Sequence, residues 1–373
     1  MASGGDAVAR DPAGKAVFVR GALPGERVRV RLVADHATYA VGLVDEVLDP
    51  SPDRVTPPCP EVVRGCGACQ WQHVSVAGQR RLKERFVVEA IERAGVECPA
   101  PSAAVELTPW AFRTTISAGV AHGRAGFHQT RSDRIVPVDG CLVAHPLLGE
   151  LLVGARYPGA RKVLLRCGAR TGERLAATTP TGLKVRVPDD VHAGHFHEVA
   201  AGRRWRISAR SFFQTRADGA DALAAIVGAS ADDMGPPSAA VDLYSGVGLY
   251  AGVLAARGWS VTAVEGSRSA VADAEVNLRE STARVVGGDV TRWAPQRADL
   301  AVADPSRIGL GRGGVDVVAG TGARRVILIS CDAAGLGRDA ALLHQAGYSL
   351  RAVTLVDLFP QTFRVEAVTV YDR

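Results

Sequence analysis

Apolar residues recur along this chain in three rhythms. Near the N-terminus, Lys15-Ala-Val-Phe-Val-Arg20 and Arg27-Val-Arg-Val-Arg-Leu32 alternate apolar and basic positions, the period-two pattern of half-buried strands. Gly21-Ala-Leu-Pro-Gly25 supplies turn chemistry between them, and Tyr39 to Val47 a further strand or two. The pattern predicts a compact β-barrel with one basic face. A Pro-rich link from Asp49 to Pro58 follows. Residues 79–94 read as a helix, and residues 105–210 as mixed strands broken by Gly and Pro turns. From about 210 the texture becomes regular β/α alternation, with apolar strands at 239–244, 260–265, 284–286, 299–303 and 325–330. That alternation predicts an open, mostly parallel sheet with helices on both faces. Two further stretches, Val353–Pro360 and Val365–Tyr371, read as a β-hairpin completing the sheet. The expected division is 1–55, 56–209 and 210–373.

Composition narrows the class. With 373 residues, 47% hydrophobic and 22% charged, the chain is an ordinary folded protein with room for more than one domain. No apolar run approaches the ~18 residues of a membrane span. The start, Met-Ala-Ser-Gly-Gly-Asp, lacks the basic and apolar halves of a secretory signal, so a cytoplasmic protein, taken as a monomer, is expected. Charge is uneven. Residues 101–220 carry 17 basic against 9 acidic side chains, whereas residues 221–373 carry 14 against 17. A basic middle segment beside a slightly acidic half suits a polyanionic partner. Small barrels of the OB type also hold single-stranded nucleic acid.

The predicted strand ends gather polar residues. In an open α/β sheet ligands bind beyond the carboxyl ends of the strands. The first ends in Asp242-Leu-Tyr-Ser-Gly-Val-Gly248, where Gly246 and Gly248 allow a tight turn onto a helix N-terminus. Such a loop serves a dinucleotide or a methyl donor alike, but Ala251 stands where a third dinucleotide-type glycine is required. Glu265 ends the second strand, placed to accept hydrogen bonds from ribose hydroxyls. Asp289 ends the third, Asp304 the fourth and Cys331 the fifth. A helix following Cys331 is expected to favour its thiolate. If the last strand runs antiparallel, Glu366 starts it at the same edge; a carboxylate inside an apolar strand is costly to bury without a role.

Asp242-Leu-Tyr-Ser-Gly-Val-Gly248, Val264-Glu-Gly-Ser267, Asp304-Pro-Ser-Arg307, Ile329-Ser-Cys-Asp332 and Phe359-Pro-Gln-Thr-Phe-Arg-Val-Glu366 occur in that order. Together they resemble the motifs of the RNA (uracil-C5)-methyltransferases, which depend on S-adenosylmethionine. Ser211-Phe-Phe-Gln-Thr215 is similar to a segment of that family whose Gln contacts the methyl donor, and the first fifty residues resemble its TRAM domain. The resemblance covers nearly the whole chain. It implies a Rossmann-like methyltransferase sheet preceded by an OB-like TRAM barrel and a mixed α+β central domain. It further implies Cys331 as nucleophile, Glu366 as base, and Gln214, Tyr244, Glu265 and Asp304 around S-adenosylmethionine, with a flipped or unpaired uridine of ribosomal or transfer RNA as acceptor. Three positions depart from the family pattern. Ser306 replaces a Pro, Asp332 an Asn, and Arg364 a His, and the last two bear on base contacts or substrate choice.

Cys59-x6-Cys66-x2-Cys69 makes a second cluster. Without an export signal, metal binding or catalysis is the better reading than a disulfide framework. With Cys141 the cluster resembles the four-Cys [4Fe–4S] site of some family members, though their first gap is usually five residues. The spacing alone serves zinc equally well. Cys98 and Cys167 read as ordinary thiols. Two rivals remain: an RNA-binding protein with a silent methyltransferase fold, and a methyltransferase acting on another acceptor.

Overall fold

The computed structural model describes every residue except Ser3. Four strands open the chain: β1 (Ala7–Arg10), β2 (Ala16–Arg20), β3 (Arg27–Asp35) and β4 (Tyr39–Asp49), in the order β1-β2-β4-β3. The β3–β4 register shifts three times, and bulges of this kind bend and twist a ribbon. The edge strands β1 and β3 do not pair with each other, so the unit expected as a compact OB-like barrel is an open, curled sheet. Its small core is Ala7, Val17, Val19, Ala22 and Ala40.

Next come α1 (Pro60–Val63), α2 (Val76–Arg93) and β5 (Ser102–Val105). Helix α2 starts where the Ser75 hydroxyl accepts from the Gly78 amide at 3.0 Å, three residues before the expected start. A central sheet follows: β6 (Thr115–Ala121), β7 (Arg124–His128), β8 (Ile135–Pro137), α3 (Pro146–Val153), β9 (Lys162–Cys167), β10 (Arg174–Thr179) and β11 (Val191–His192). The hairpin β12 (His195–Ala200) and β13 (Arg203–Ser208) then leads to α4 (Ala217–Asp232).

The C-terminal sheet is built from β14 (Ala239–Leu243), α5 (Leu249–Ala255), β15 (Ser260–Glu265), α6 (Arg268–Asn277), β16 (Arg284–Gly287), β17 (Leu300–Ala303), α7 (Gly311–Thr321), β18 (Arg325–Ser330), α8 (Ala333–Gln345), β19 (Ser349–Val356) and β20 (Ala367–Asp372). The strand order is β16-β15-β14-β17-β18-β20-β19-β5. Strands β14 to β18 are parallel, and β20 runs antiparallel to both neighbours. The order reverses between β14 and β17, which opens a ligand crevice beyond their carboxyl ends. One face buries Leu82, Phe86, Val87 and Ile91 of α2 against α8 and α7. The other packs α4 and α5 with Trp205 and Phe196 of the β12–β13 hairpin. Each such side chain contributes roughly 1.5–3 kcal/mol by leaving water.

One boundary differs from the expected division. Helix α2 and strand β5 lie inside the 56–209 segment, yet β5 pairs with β19 at the sheet edge and α2 covers that sheet's face. Their apolar stripes are satisfied by a partner some 250 residues away, which no local pattern announces.

Candidate active site

Strand β14 turns at Tyr244, Gly246 and Gly248, all with positive φ (61°, 56° and 94°). A Cβ at Gly248 would stand 2.7 Å from the Leu278 side chain, so only glycine fits there. Tyr244 holds a left-handed backbone without being glycine, a strained conformation that clusters at functional sites. Behind the turn, fully buried Asp242 accepts the Ala251 amide at 2.8 Å and so pins α5 to β14. Burial pushes its carboxyl well above the usual range.

Glu265 closes the far side of the loop. Its carboxylate accepts the Gly246 amide at 2.9 Å and the Ser267 amide at 2.6 Å. Each oxygen keeps a second lone pair for a ligand hydroxyl. Gln214, Tyr244 and Asp304 line one pocket over the same loop. Asp304 accepts from Gln214 Nε2 at 3.1 Å and from the Tyr250 hydroxyl at 3.2 Å. Tyr250 is a site residue that the sequence did not announce, because a Tyr in an apolar helix reads as core. Phe212 also lines the pocket and is 63% exposed while its neighbour Phe213 is buried. Asp289 accepts from the amide and hydroxyl of Thr291, at 2.9 and 2.8 Å, as a cap on the turn at 290–292.

The decisive arrangement lies one strand over. Ser330 pairs with Ala367 in the antiparallel β18–β20 ladder, so Cys331 and Glu366 are the next cross-strand neighbours at the open edge. Glu366 is buried, and burial followed by the Asp304 carboxylate drives its carboxyl well above the usual range. Burial raises Asp304 too, while its bonds from Tyr250 and Gln214 pull the other way. The Cys331 thiol is pushed up to about 11, first by burial and then by Glu366 and Asp304; Arg307 and Arg364 oppose the shift. This corrects the expectation of a helix-stabilised thiolate. The Asp332 carboxylate caps α8 by accepting the Gly335 amide at 2.7 Å, and burial, with the two carboxyls adding to it, keeps the thiol protonated. The structure thus brings together all six expected catalytic and donor-binding residues.

The four cysteines are drawn from both sides of the central unit. Cys59, Cys66, Cys69 and Cys141 line one small cavity with Glu61 and Gln72. Burial pushes Cys66 up to about 11 and Cys69 to about 12, with neighbouring cysteines adding to both. Among the described residues, however, no three His, Cys, Asp or Glu side chains form a group that could hold a metal ion. The expected metal centre is therefore a shared cavity and not a formed ligand shell. Buried Cys167 and half-buried Cys98 stand apart from it.

A glycine turn onto a helix, a carboxylate ending the second strand, and this strand order define the protein as a Rossmann-like methyltransferase. The TRAM domain family matches residues 2–44. An RNA methyltransferase of Streptomyces coelicolor, itself uncharacterized, is 35% identical over the whole chain and 91% of its own length. The 23S rRNA (uracil(1939)-C(5))-methyltransferase RlmD of Chromohalobacter salexigens is 31% identical over the whole chain and 88% of its own. The crystal structure of Pyrococcus abyssi tRNA (uracil-54, C5)-methyltransferase with S-adenosyl-L-homocysteine superposes with a TM-score of 0.73. It covers 99% of this chain and all of that one at 20% identity, and so supports the fold. The chain belongs to the S-adenosylmethionine-dependent RNA (uracil-C5)-methyltransferase family, with an N-terminal TRAM domain.

Proposed function

We propose that this protein methylates C5 of a uridine in ribosomal or transfer RNA through a covalent adduct to Cys331. The observation that carries the reading is the cross-strand opposition of Cys331 and Glu366 beside Asp304 at the carboxyl edge. C5 of uracil is a weak nucleophile. The Cys331 thiol releases its proton to solvent, and addition of the thiolate Sγ to C6 pushes the C5=C6 electron pair toward the 4-carbonyl and makes C5 enolate-like. S-adenosylmethionine, when bound, supplies the electrophilic methyl group that C5 attacks. Glu366 then takes the C5 proton, the C5=C6 bond re-forms, and Sγ leaves as thiolate. Gln214, Tyr244, Glu265 and Asp304 hold the donor over the glycine loop, with Asp304 shared between donor and base. The uridine reaches this edge flipped out or already unpaired.

The remaining assignments complete the proposal. The curled N-terminal sheet and the basic segment 101–220 hold the RNA backbone, and the enzyme works as a cytoplasmic monomer. The convergence of four thiols on one cavity supports a four-thiolate group, which Cys59, Cys66, Cys69 and Cys141 would ligate after closing together, as a [4Fe–4S] cluster ahead of zinc. Such a group would order the central domain, since methyl transfer moves no electron. Iron, sulfide and zinc analysis of protein purified without oxygen separates these cases.

The test is mass spectrometry of nucleosides from RNA incubated with the protein and labelled donor, beside Cys331→Ala. Label in 5-methyluridine that vanishes in the variant is the expected result. Label in another nucleoside moves the assignment to another acceptor, and tight RNA binding without any label makes the protein a silent binder.

A further inference from the structure

Residues Asp357 to Glu366 join β19 to β20 and end in the proposed base; the Glu366 carbonyl accepts the Val356 amide at 2.8 Å and the Asp357 amide donates to the Val105 carbonyl at 3.1 Å, while the turn between these ends lies outside the β19–β20 ladder. What fixes the middle of that turn, around Gln361, comes from the other end of the sequence. Gln79 of α2 is fully buried, and its Oε1 accepts the Gln361 backbone N–H at 2.7 Å. Its Nε2 lies 3.1 Å from Gln361 Oε1, 3.0 Å from the Trp71 carbonyl and 2.9 Å from that of Val74. The Trp71 amide in turn donates to the Gln361 carbonyl at 2.9 Å. One turn along α2, Lys83 Nζ donates to Asp357 Oδ1 at 2.8 Å and to the Phe359 carbonyl at 2.9 Å. Gln361 is itself buried with φ of +68°. A non-glycine residue there is strained and persists only when its surroundings over-determine it. The clamp is that surrounding.

We infer that Gln79 is a positioning residue for the uridine-methylation reaction: it holds the Gln361 turn so that Glu366, five residues on, meets the C5 proton. The inference rests on the proposed function. It assigns Gln79 to one step. Addition of Cys331 and methyl transfer involve groups on β18 and the glycine loop, which Gln79 does not touch. Only elimination needs Glu366 aligned: the C5–H bond breaks to its carboxylate, the pair becomes C5=C6, and the C6–S bond releases Cys331. A merely structural buried glutamine would lower stability without separating the steps.

The experiment is a single-turnover reaction with a uridine-containing stem–loop RNA. The covalent, methylated protein–RNA adduct is followed on denaturing gels. Glu366→Gln is the trapped reference and Cys331→Ala the blank. Gln79→Leu removes the clamp's donor and acceptor and should lengthen the adduct's lifetime at least tenfold, while S-adenosylhomocysteine affinity stays within twofold. Gln361→Gly is the second variant. Glycine is at ease at positive φ and keeps both backbone bonds, so this protein folds even if Gln79→Leu does not. Losing the side-chain bond and the turn's stiffness should lengthen the adduct severalfold. Either variant, folded and binding S-adenosylhomocysteine normally, overturns the inference if its adduct decays at the wild-type rate. So does slower turnover without adduct. If instead wild type makes no 5-methyluridine, or Cys331→Ala still forms adduct, the proposed function fails and not the clamp.

Discussion

The resting state of Cys331 can be measured without RNA. Its thiol is pushed from an ordinary 9.0 up to about 11 by burial and the neighbouring carboxyls. At pH 8 about one ordinary thiol in ten is ionised, against about one in a thousand for Cys331, a deficit of roughly 100-fold. Nucleophilicity rises with basicity at a Brønsted slope of about 0.4–0.5, so each Cys331 thiolate is roughly 6–10-fold more reactive toward a disulfide. The two effects leave Cys331 about 10–15-fold slower than glutathione toward a small disulfide at pH 8. The sign follows from the raised value: the rate should keep climbing about tenfold per pH unit past pH 9, where an ordinary thiol levels off. Peptide-resolved mass spectrometry of timed disulfide labelling from pH 7 to 10.5 reads Cys331 apart from the other six cysteines. A rate at pH 8 equal to glutathione's, or a plateau below pH 9, would refute the reasoning and restore a helix-activated thiolate.

Three further outcomes are expected. Glu265→Ala removes a carboxylate that orders Gly246 and Ser267 and, on the proposed reading, faces the donor; losing one or two charge-assisted bonds, about 1.5–3 kcal/mol each, should weaken S-adenosylhomocysteine binding at least tenfold by calorimetry. Lys83→Met leaves Asp357 buried with Arg80 as its remaining cation, and urea unfolding should show a loss of about 3 kcal/mol, the low end for a broken buried pair. Asp304→Asn takes away the anion that raises Glu366, so Glu366 ionises at lower pH and the acid limb of adduct decay moves down the pH scale; a pH-jump on preformed adduct measures this without donor binding.

Much of this site lay open in the sequence because strand ends are local features. Gly246, Glu265, Asp304 and Cys331 each follow an apolar run, and a parallel sheet brings such positions to one edge. Glu366 needed one more step, the antiparallel sense of β20, which the Ser330–Ala367 register supplies. What stayed hidden is non-local. Tyr250 sits among apolar helix residues and becomes a site residue only through its bond to Asp304, 54 positions on. Gln79 and Gln361 are 282 positions apart, and each reads alone as an ordinary polar residue. The Cys331 thiol departs from the expected thiolate because a following helix is visible in sequence, whereas the burial that chiefly raises the thiol and the Asp332 cap on that helix are not.

The two carboxyls differ in a way that orders the chemistry. Asp304 accepts two hydrogen bonds that favour its charge, whereas Glu366 takes none from the described residues and faces Asp304. When environments push two titratable groups apart, the better-solvated one keeps the charge and the other the proton. Burial and the Asp304 charge thus tighten the hold of Glu366 on a proton, while the bonds from Gln214 and Tyr250 favour the charged form of Asp304. On the proposed reading Glu366 must lose its proton before it can act as base, and a cationic sulfonium at this edge favours that loss. Once the methyl group has moved, the sulfur is neutral and that support is gone. Glu366 then regains its high affinity for a proton at the step where C5 must give one up. Asp304 raises that affinity throughout, which accounts for a second carboxylate in a site whose reaction needs one base.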